Sequence, residues 1–232
     1  MSHTLNITSD FYWLGALDPT LRTFDIVMHT EFGTTYNAYL LKTSDGGVLF
    51  ETVKDKFFDM YLEKLQSLIT LEEIKYIVVD HTEPDHAGSV AKLLEIAPHI
   101  TVVASSIALK YLSEITNKSF KSIAVKQGDQ LTVGNRTISF IGVPQLHWPD
   151  TIYSYVVEEK LLITCDSFGA HYSDERVLKS ALEVEKEEDY ISAYKYYYDM
   201  IMGPFKPFVL KALDKIQDLE IDFICPGHGM PL

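Results

Sequence analysis

The chain has 232 residues, 47% of them hydrophobic and 23% charged, which is enough to bury a sizeable core as one soluble globular domain. Twenty Lys and Arg stand against 33 Asp and Glu, and the net charge of −13 argues against nucleic acid or an anionic membrane surface as a partner. No basic-then-apolar leader opens the sequence and no apolar run nears the roughly 20 residues that cross a bilayer, so a cytoplasmic protein is expected.

Leu5-Asn6-Ile7, Phe11 to Leu14 and Phe24 to Met28 are short strand candidates. Gly33 to Leu41 and Val48 to Glu51 flank Ser44-Asp45-Gly46-Gly47, a hairpin signature, so the chain opens as an antiparallel sheet. From Lys54 to Ile69 the period changes, and Phe58, Tyr61, Leu62, Leu65 and Ile69 share one helical face. Ile74 to Val79 reads as a strand and Ala87 to Ile96 as a helix ended by Pro98. Ile100 to Ala104 is a strand, followed by a helix over Ile107 to Ile115 with Ser105 as N-cap. Ile123 to Thr132 and Arg136 to Val143 predict a second antiparallel set around Gly134-Asn135, and Ile152 to Val157 pairs with Lys160 to Cys165. Helices are predicted over Ser173 to Glu187, Tyr190 to Met202 and Phe205 to Leu219, with a last strand at Ile221 to Cys225. Two batches of strands with helices outside predict an α/β/β/α four-layer sandwich with a site on one rim. The two cysteines, Cys165 and Cys225, each close an apolar run, which predicts buried reduced thiols rather than a disulfide.

The chemistry concentrates where apolar runs stop. Ile74 to Val79 leads into His81-Thr82-Glu83-Pro84-Asp85-His86, four metal-capable side chains in six residues. The same grammar places His147 after Thr137 to Val143, Asp166 after Leu161 to Cys165, and His228 after Ile221 to Cys225. Imidazole nitrogens and carboxylate oxygens are donors that iron, manganese and zinc accept. Four histidines and three carboxylates exceed the four donors of one tetrahedral zinc and fit two metals with positions open to a small ligand. The alternative for the hexapeptide is a solvated polar turn.

These motifs resemble the metallo-β-lactamase-like diiron domain of flavodiiron proteins, the A-type flavoproteins. The resemblance runs through nearly the whole chain, in His81-x-Glu83-x-Asp85-His86, His147-Trp148-Pro149-Asp150, Asp166-Ser167-Phe168-Gly169 with His171, Gly33 to Tyr39, and Tyr197-Tyr198 ahead of Pro204-Phe205. It implies one domain over residues 1–232 and two iron ions, Fe2+ or Fe3+, bridged by an oxo, hydroxo or peroxo group. His81, Glu83 and His147 would hold one iron, Asp85, His86 and His228 the other, and Asp166 would bridge them; His86 could instead face a water. Hydrolytic members of the superfamily carry a histidine where Glu83 stands, and a harder oxygen donor suits iron, so a binuclear zinc hydrolase ranks below the redox readings.

His171 resembles a residue that hydrogen-bonds a ligand carboxylate from behind, Tyr197 and Tyr198 could lend a phenol to an oxygen adduct or pack in the core, and Trp148 walls the pocket. Tyr194, Tyr196, His3, His29 and His99 are assigned to packing or solvent. The family continues into a flavodoxin-like FMN domain, whereas this sequence stops four residues after His228, with no flavin site expected within it. The resemblance is therefore to stand-alone oxygen-binding diiron proteins linked to bacterial chemotaxis receptors. A homodimeric oxygen or iron sensor is expected, forming a ferric-peroxo adduct and addressing a chemoreceptor or histidine kinase. The second expectation is the catalytic half of an oxygen or nitric oxide reductase fed by a separate flavin donor.

Overall fold

The computed structural model describes residues 4–232, so His3 lies outside the described residues. The N-terminal half begins with β1 (Leu5–Asn6) and β2 (Phe11–Trp13). Next come β3 (Ala16–Asp18), β4 (Thr23–Phe24), β5 (Met28–His29) and β6 (Thr34–Tyr36), in which β3 pairs with β6 and β4 with β5. The predicted strand over Phe24 to Met28 is thus a tight reversal, with Asp25 and Ile26 at positive φ. Then follow β7 (Tyr39–Thr43), β8 (Gly46–Phe50), β9 (Ile74–Val79), β10 (Thr101–Ser105) and β11 (Ser122–Val125). The first sheet has the order β1-β2-β7-β8-β9-β10-β11, antiparallel as far as β8 and parallel from there to β11. Its β7–β8 turn is the predicted hairpin, with Thr43 opposite Gly46.

The second sheet runs β12 (Gln130–Val133), β13 (Arg136–Gly142), β14 (Ile152–Val156), β15 (Leu161–Cys165), β16 (Phe223–Pro226), and only the last pair is parallel. Ile123 therefore does not open this sheet as predicted. Lys126 to Asp129 turn the chain, held by the Asp129 carboxylate accepting from the Lys126 N–H, and β11 pairs with β10 in the first sheet instead.

Alternation along the strands sorts the layers. Leu41, Val48, Phe50 and Val78 of the first sheet meet Ile138, Phe140, Leu161 and Ile163 of the second. Leu40, Leu49, Ile77 and Val102 point the other way, onto α1 (Phe58–Gln66), α2 (Pro84–Ala87), α3 (Val90–Ile96) and α4 (Ser106–Thr116) through residues such as Tyr61, Leu65, Ala87, Leu93 and Leu112. The far face of the second sheet, with Ile141, Tyr153 and Leu162, takes Ala212 and Ile216 of a later helix. The fold is the predicted four-layer sandwich. Each buried Leu, Ile or Phe is worth about 1.5–3 kcal/mol relative to exposure, so the three facing clusters make a stiff frame for the rim.

The helices depart from expectation where tertiary contacts compete. The helix expected over Ala87 to Ile96 begins only at Val90 as α3, after Gly88-Ser89, where Ser89 Oγ donates to the Val53 carbonyl, and the short α2 before it takes Asp85 and His86 out of the expected loop. Ser105 caps α4 as predicted, its Oγ accepting from the Ala108 N–H at 3.1 Å. Ser173 to Glu187 is not a helix: Asp174 takes Lys186 at 2.8 Å and the Arg176 backbone, and the Lys179 N–H donates to Pro231 O, leaving only isolated 3-10 turns. The remaining helices are α5 (Glu187–Tyr197), continued by a π turn over Tyr198–Met202, and α6 (Lys206–Ile216). Both thiols are free and buried. Among the described residues no helix is long and apolar enough to cross a membrane.

Candidate metal centre

The rim site is assembled from strand ends. β9 delivers His81 and Glu83 on a loop and Asp85 and His86 on the following α2, the loop after β13 delivers His147, β15 ends beside Asp166, and β16 leads into His228. The structure brings all seven predicted donors together. His81, Glu83, His147 and Asp166 form one group and Asp85, His86 and His228 a second. In the first, His147 Nε2 lies 2.9 Å from Glu83 Oε2 and 3.2 Å from Asp166 Oδ2, and His81 Nε2 lies 3.2 Å from Glu83 Oε2 and 3.5 Å from Asp166 Oδ2. In the second, His228 Nε2 is 2.9 Å from Asp85 Oδ2 and His86 Nε2 is 3.5 Å from it. Asp166 Oδ1 faces this second group, 3.0 Å from His86 Nε2 and 3.6 Å from His228 Nε2. One carboxylate thus turns one oxygen to each group.

These spacings match those of atoms that share a metal ion. Donors sharing an ion at ~2.1 Å stand about 3.0–3.5 Å apart. Among the described residues, Asp85 Oδ1 and Oδ2 and Asp166 Oδ2 are buried without an aligned hydrogen-bond partner, an arrangement that costs free energy unless a cation supplies the missing contact. The electrostatics agree. Burial alone would push His81, His86 and His147 down, yet the surrounding carboxylates outweigh it and raise each to about 10. Burial opposes ionisation of Glu83 and Asp166 too, but the histidines win and hold both below the usual carboxylate range. The cluster therefore gathers positive charge, as protons or as metal.

Neighbouring groups fix which ring nitrogen faces inward. Only a donor can satisfy the Thr35 carbonyl 2.6 Å from His228 Nδ1, so that nitrogen carries the proton and Nε2 turns to the site. His81 Nδ1 lies 3.3 Å from Asp150 Oδ1, and Asp150 Oδ2 accepts from the Thr82 N–H at 2.8 Å and the Thr82 hydroxyl at 2.7 Å. The Glu51 carboxylate, buried at positive φ, accepts from the N–H groups of Asp80 and His81 and so holds the start of the loop. The segment carrying His228 is clamped by Asn37, whose amide donates to the carbonyls of Pro226 and Gly229. Sequence reasoning gave Asp150, Glu51 and Asn37 no role. The signal for Asp150 and Asn37 was that they lie inside the motifs His147-Trp148-Pro149-Asp150 and Gly33 to Tyr39, and for Glu51 that it is an acid at the end of an apolar run.

The flanking candidates divide. His171 is buried but, among the described residues, hydrogen-bonds no ligand carboxylate; its Nδ1 shares a hydrogen bond with Thr34 Oγ1, its ring lies 5.1 Å from that of His228, and burial followed by repulsion from His228 lowers it to about 3, so it stays neutral. The Tyr197 hydroxyl donates to Asp166 Oδ1 at 3.1 Å. Tyr198 does not join it: the π turn carries this residue into the apolar cluster with Phe168 and Met202 over the second sheet. Trp148 stands edge-on to His81 at 5.0 Å, as a pocket wall. Tyr194 packs with Tyr190, Tyr196 and His29 stay exposed, and His99 reaches the Leu71 carbonyl at the surface. Glu83 and His147 keep side-chain exposures of 15% and 17%, against 4% or less for the other five, so a small ligand would enter past them.

Residues 34–229 match the profile of the family described as ODP family beta lactamase. The flavo-diiron protein FprA2 of Clostridium acetobutylicum is 43% identical over 227 residues, covering 97% of this chain and 56% of that relative. Among solved structures, the rubredoxin oxygen:oxidoreductase of Desulfovibrio gigas superposes with a TM-score of 0.93 at 33% identity, and the flavodiiron protein of Giardia intestinalis with 0.93 at 30%. Each covers 99% of this chain, which spans 57% and 55% of those two chains.

Proposed function

Since this chain belongs to the ODP β-lactamase-like family and carries the diiron-site fold of flavodiiron proteins, we propose that its seven-donor cluster holds two iron ions and that dioxygen is reduced there with electrons delivered from outside the described residues. The observation that carries the reading is Asp166, one oxygen turned to each donor group. His81, Glu83 and His147 would hold one iron, Asp85, His86 and His228 the other, with Asp166 shared. When bound, two ferrous ions supply two electrons and open positions for a small diatomic ligand. Glu83, Asp85 and Asp166 bring three negative charges, which favour the hard, readily oxidised cation over the zinc of the hydrolases.

The chain's own residues then set the conditions. Asp150 and the Thr35 carbonyl hold protons on the outer nitrogens of His81 and His228, leaving the inner nitrogens free to ligate. The Tyr197 phenol, kept neutral by burial, orients the Asp166 carboxylate by donating to Oδ1. Trp148 excludes water from the side of His81. Dioxygen as the substrate is supported by the name of the Desulfovibrio gigas relative, an oxygen oxidoreductase; the alternative of a sensor addressing a receptor or kinase draws no support from any residue of the site.

Anaerobic loading with ferrous iron should give two ions per chain, and Asp166→Asn should weaken both. A single ion, or two held as tightly by the variant, would remove the binuclear reading. Loaded protein given a reduced flavoprotein or rubredoxin should consume oxygen continuously. One stoichiometric oxidation without turnover would instead support the sensor, and faster turnover of nitric oxide than of oxygen would change the substrate. Efficient ester or lactam hydrolysis, abolished by chelator, would move the function to the hydrolases.

A further inference from the structure

A cavity of about 290 Å³ lies apart from the seven donors, between α1, β2, β3 and the segment around Ser173. Its walls include Trp13, Leu17, Met60 and Val177, and its polar lining residues are Thr4, Lys64, Ser173 and Glu175, of which Lys64 is the one cation. Lys64 is only 3% exposed. One of the three donors of its ammonium goes to the Gly15 carbonyl at 2.6 Å, and the nitrogen sits 4.2 Å from the centroid of the Trp13 ring. Among the described residues no carboxylate is within ion-pair distance of it. Buried ammonium groups are normally paired. Ser173 Oγ is likewise buried with no partner among the described residues. A cation without a carboxylate partner and a hydroxyl without a hydrogen-bond partner, both on residues that line one largely apolar cavity, make a site for an anion with an apolar body.

We propose that this cavity binds a small amphipathic monocarboxylate, anchored on Lys64 Nζ with Ser173 Oγ as a second donor and its apolar part against Trp13, Leu17, Met60 and Val177. A single cation in a chain of net charge −13, with the exposed Glu175 on the cavity lining, disfavours a dianion such as phosphate. The volume accommodates a ligand larger than benzene, which fills an engineered cavity of roughly 150 Å³. Burial alone pushes the Lys64 ammonium down to about 8, so a bound carboxylate would recover stabilisation that folding leaves unused.

The test is calorimetric titration of the metal-loaded protein with hexanoate, hexanamide and inorganic phosphate. Hexanoate should bind with a dissociation constant on the order of 1 mM, modest for about eight non-hydrogen atoms, and at least about tenfold tighter than the neutral amide or phosphate. Lys64→Met should abolish the preference for hexanoate over hexanamide. Val177→Phe, which fills the cavity but keeps the charge, should abolish both, and serves if the lysine variant does not fold. Equal affinity for acid and amide, no hexanoate binding up to about 20 mM, or hexanoate binding that survives both variants and so resides at the metals, would overturn the proposal.

Discussion

Replacing Asp150 by Asn removes one charge and one acceptor beneath the metal loop without changing shape. In the native arrangement Oδ2 takes two hydrogen bonds from Thr82, at 2.8 and 2.7 Å, and Oδ1 faces His81 Nδ1 at 3.3 Å. Burial opposes ionisation of Asp150, but the bonds from His81 and Thr82 keep it below the usual carboxylate range. An asparagine that turns its oxygen to Thr82 presents N–H groups to His81 Nδ1. The imidazole proton must then move to Nε2, the nitrogen the metal needs. An asparagine turned the other way faces the Thr82 N–H with its own donors and leaves that buried group unpaired, at about 1–3 kcal/mol of stability. Removing such a support typically lowers metal affinity about 10–100-fold, or roughly 1.4–2.7 kcal/mol. The loss should fall on the site of His81, Glu83 and His147, since Asp85, His86 and His228 do not touch Asp150. Chelator-competition titration with two resolved steps reads both sites at once. Two unchanged steps, or two equally weakened steps, would refute the tautomer argument.

Other expectations follow from single contacts. A Cβ on Gly227 would stand 2.5 Å from His86 Cε1, so Gly227→Ala should weaken the site of Asp85, His86 and His228 by at least about tenfold and spare the other, in the same titration. Tyr197→Phe deletes the hydrogen bond to Asp166, and should leave two metals bound while costing about 0.5–1.5 kcal/mol of stability in urea unfolding. Lys64 is lowered from 10.5 to about 8 by burial, so between those values the unfolded chain binds more protons and stability should rise with pH; Lys64→Met should flatten that rise over pH 8 to 10.5. Phe50→Ala, between the two sheets, should cost about 3–5 kcal/mol.

The layers were legible because they rest on local alternation: Leu40 and Leu41, or Leu161 and Leu162, are adjacent residues whose opposite faces follow from the period of two. The donors were legible for the same reason, each standing just beyond such a run. What the sequence hid depends on partners far along the chain. Ser173 to Glu187 has helical spacing, but Lys179 is held by Pro231 and Asp174 by Lys186, and these contacts outweigh a propensity of a few tenths of a kcal/mol per residue. β11 looked like the start of the second sheet because periodicity says that Ile123 is in a strand and nothing about which neighbour it pairs with.

The same limit explains why the donors could be found and their supports could not. Glu51 reaches the loop 29 residues later because β8 and β9 lie side by side and parallel, so both deliver their carboxyl ends to one rim. β16 joins β15 in parallel, which brings Asp166 and His228 out at the same edge. Parallel pairing at these two places, within sheets that are otherwise largely antiparallel, gathers the acids and histidines. The turn between the antiparallel β13 and β14, tied to the end of β9 by the Ile152 N–H donating to the Asp80 carbonyl, places Asp150, 69 residues from His81, against that ring. A donor can be read from its own strand end, whereas the residue that fixes its tautomer becomes visible only once the register between strands is known.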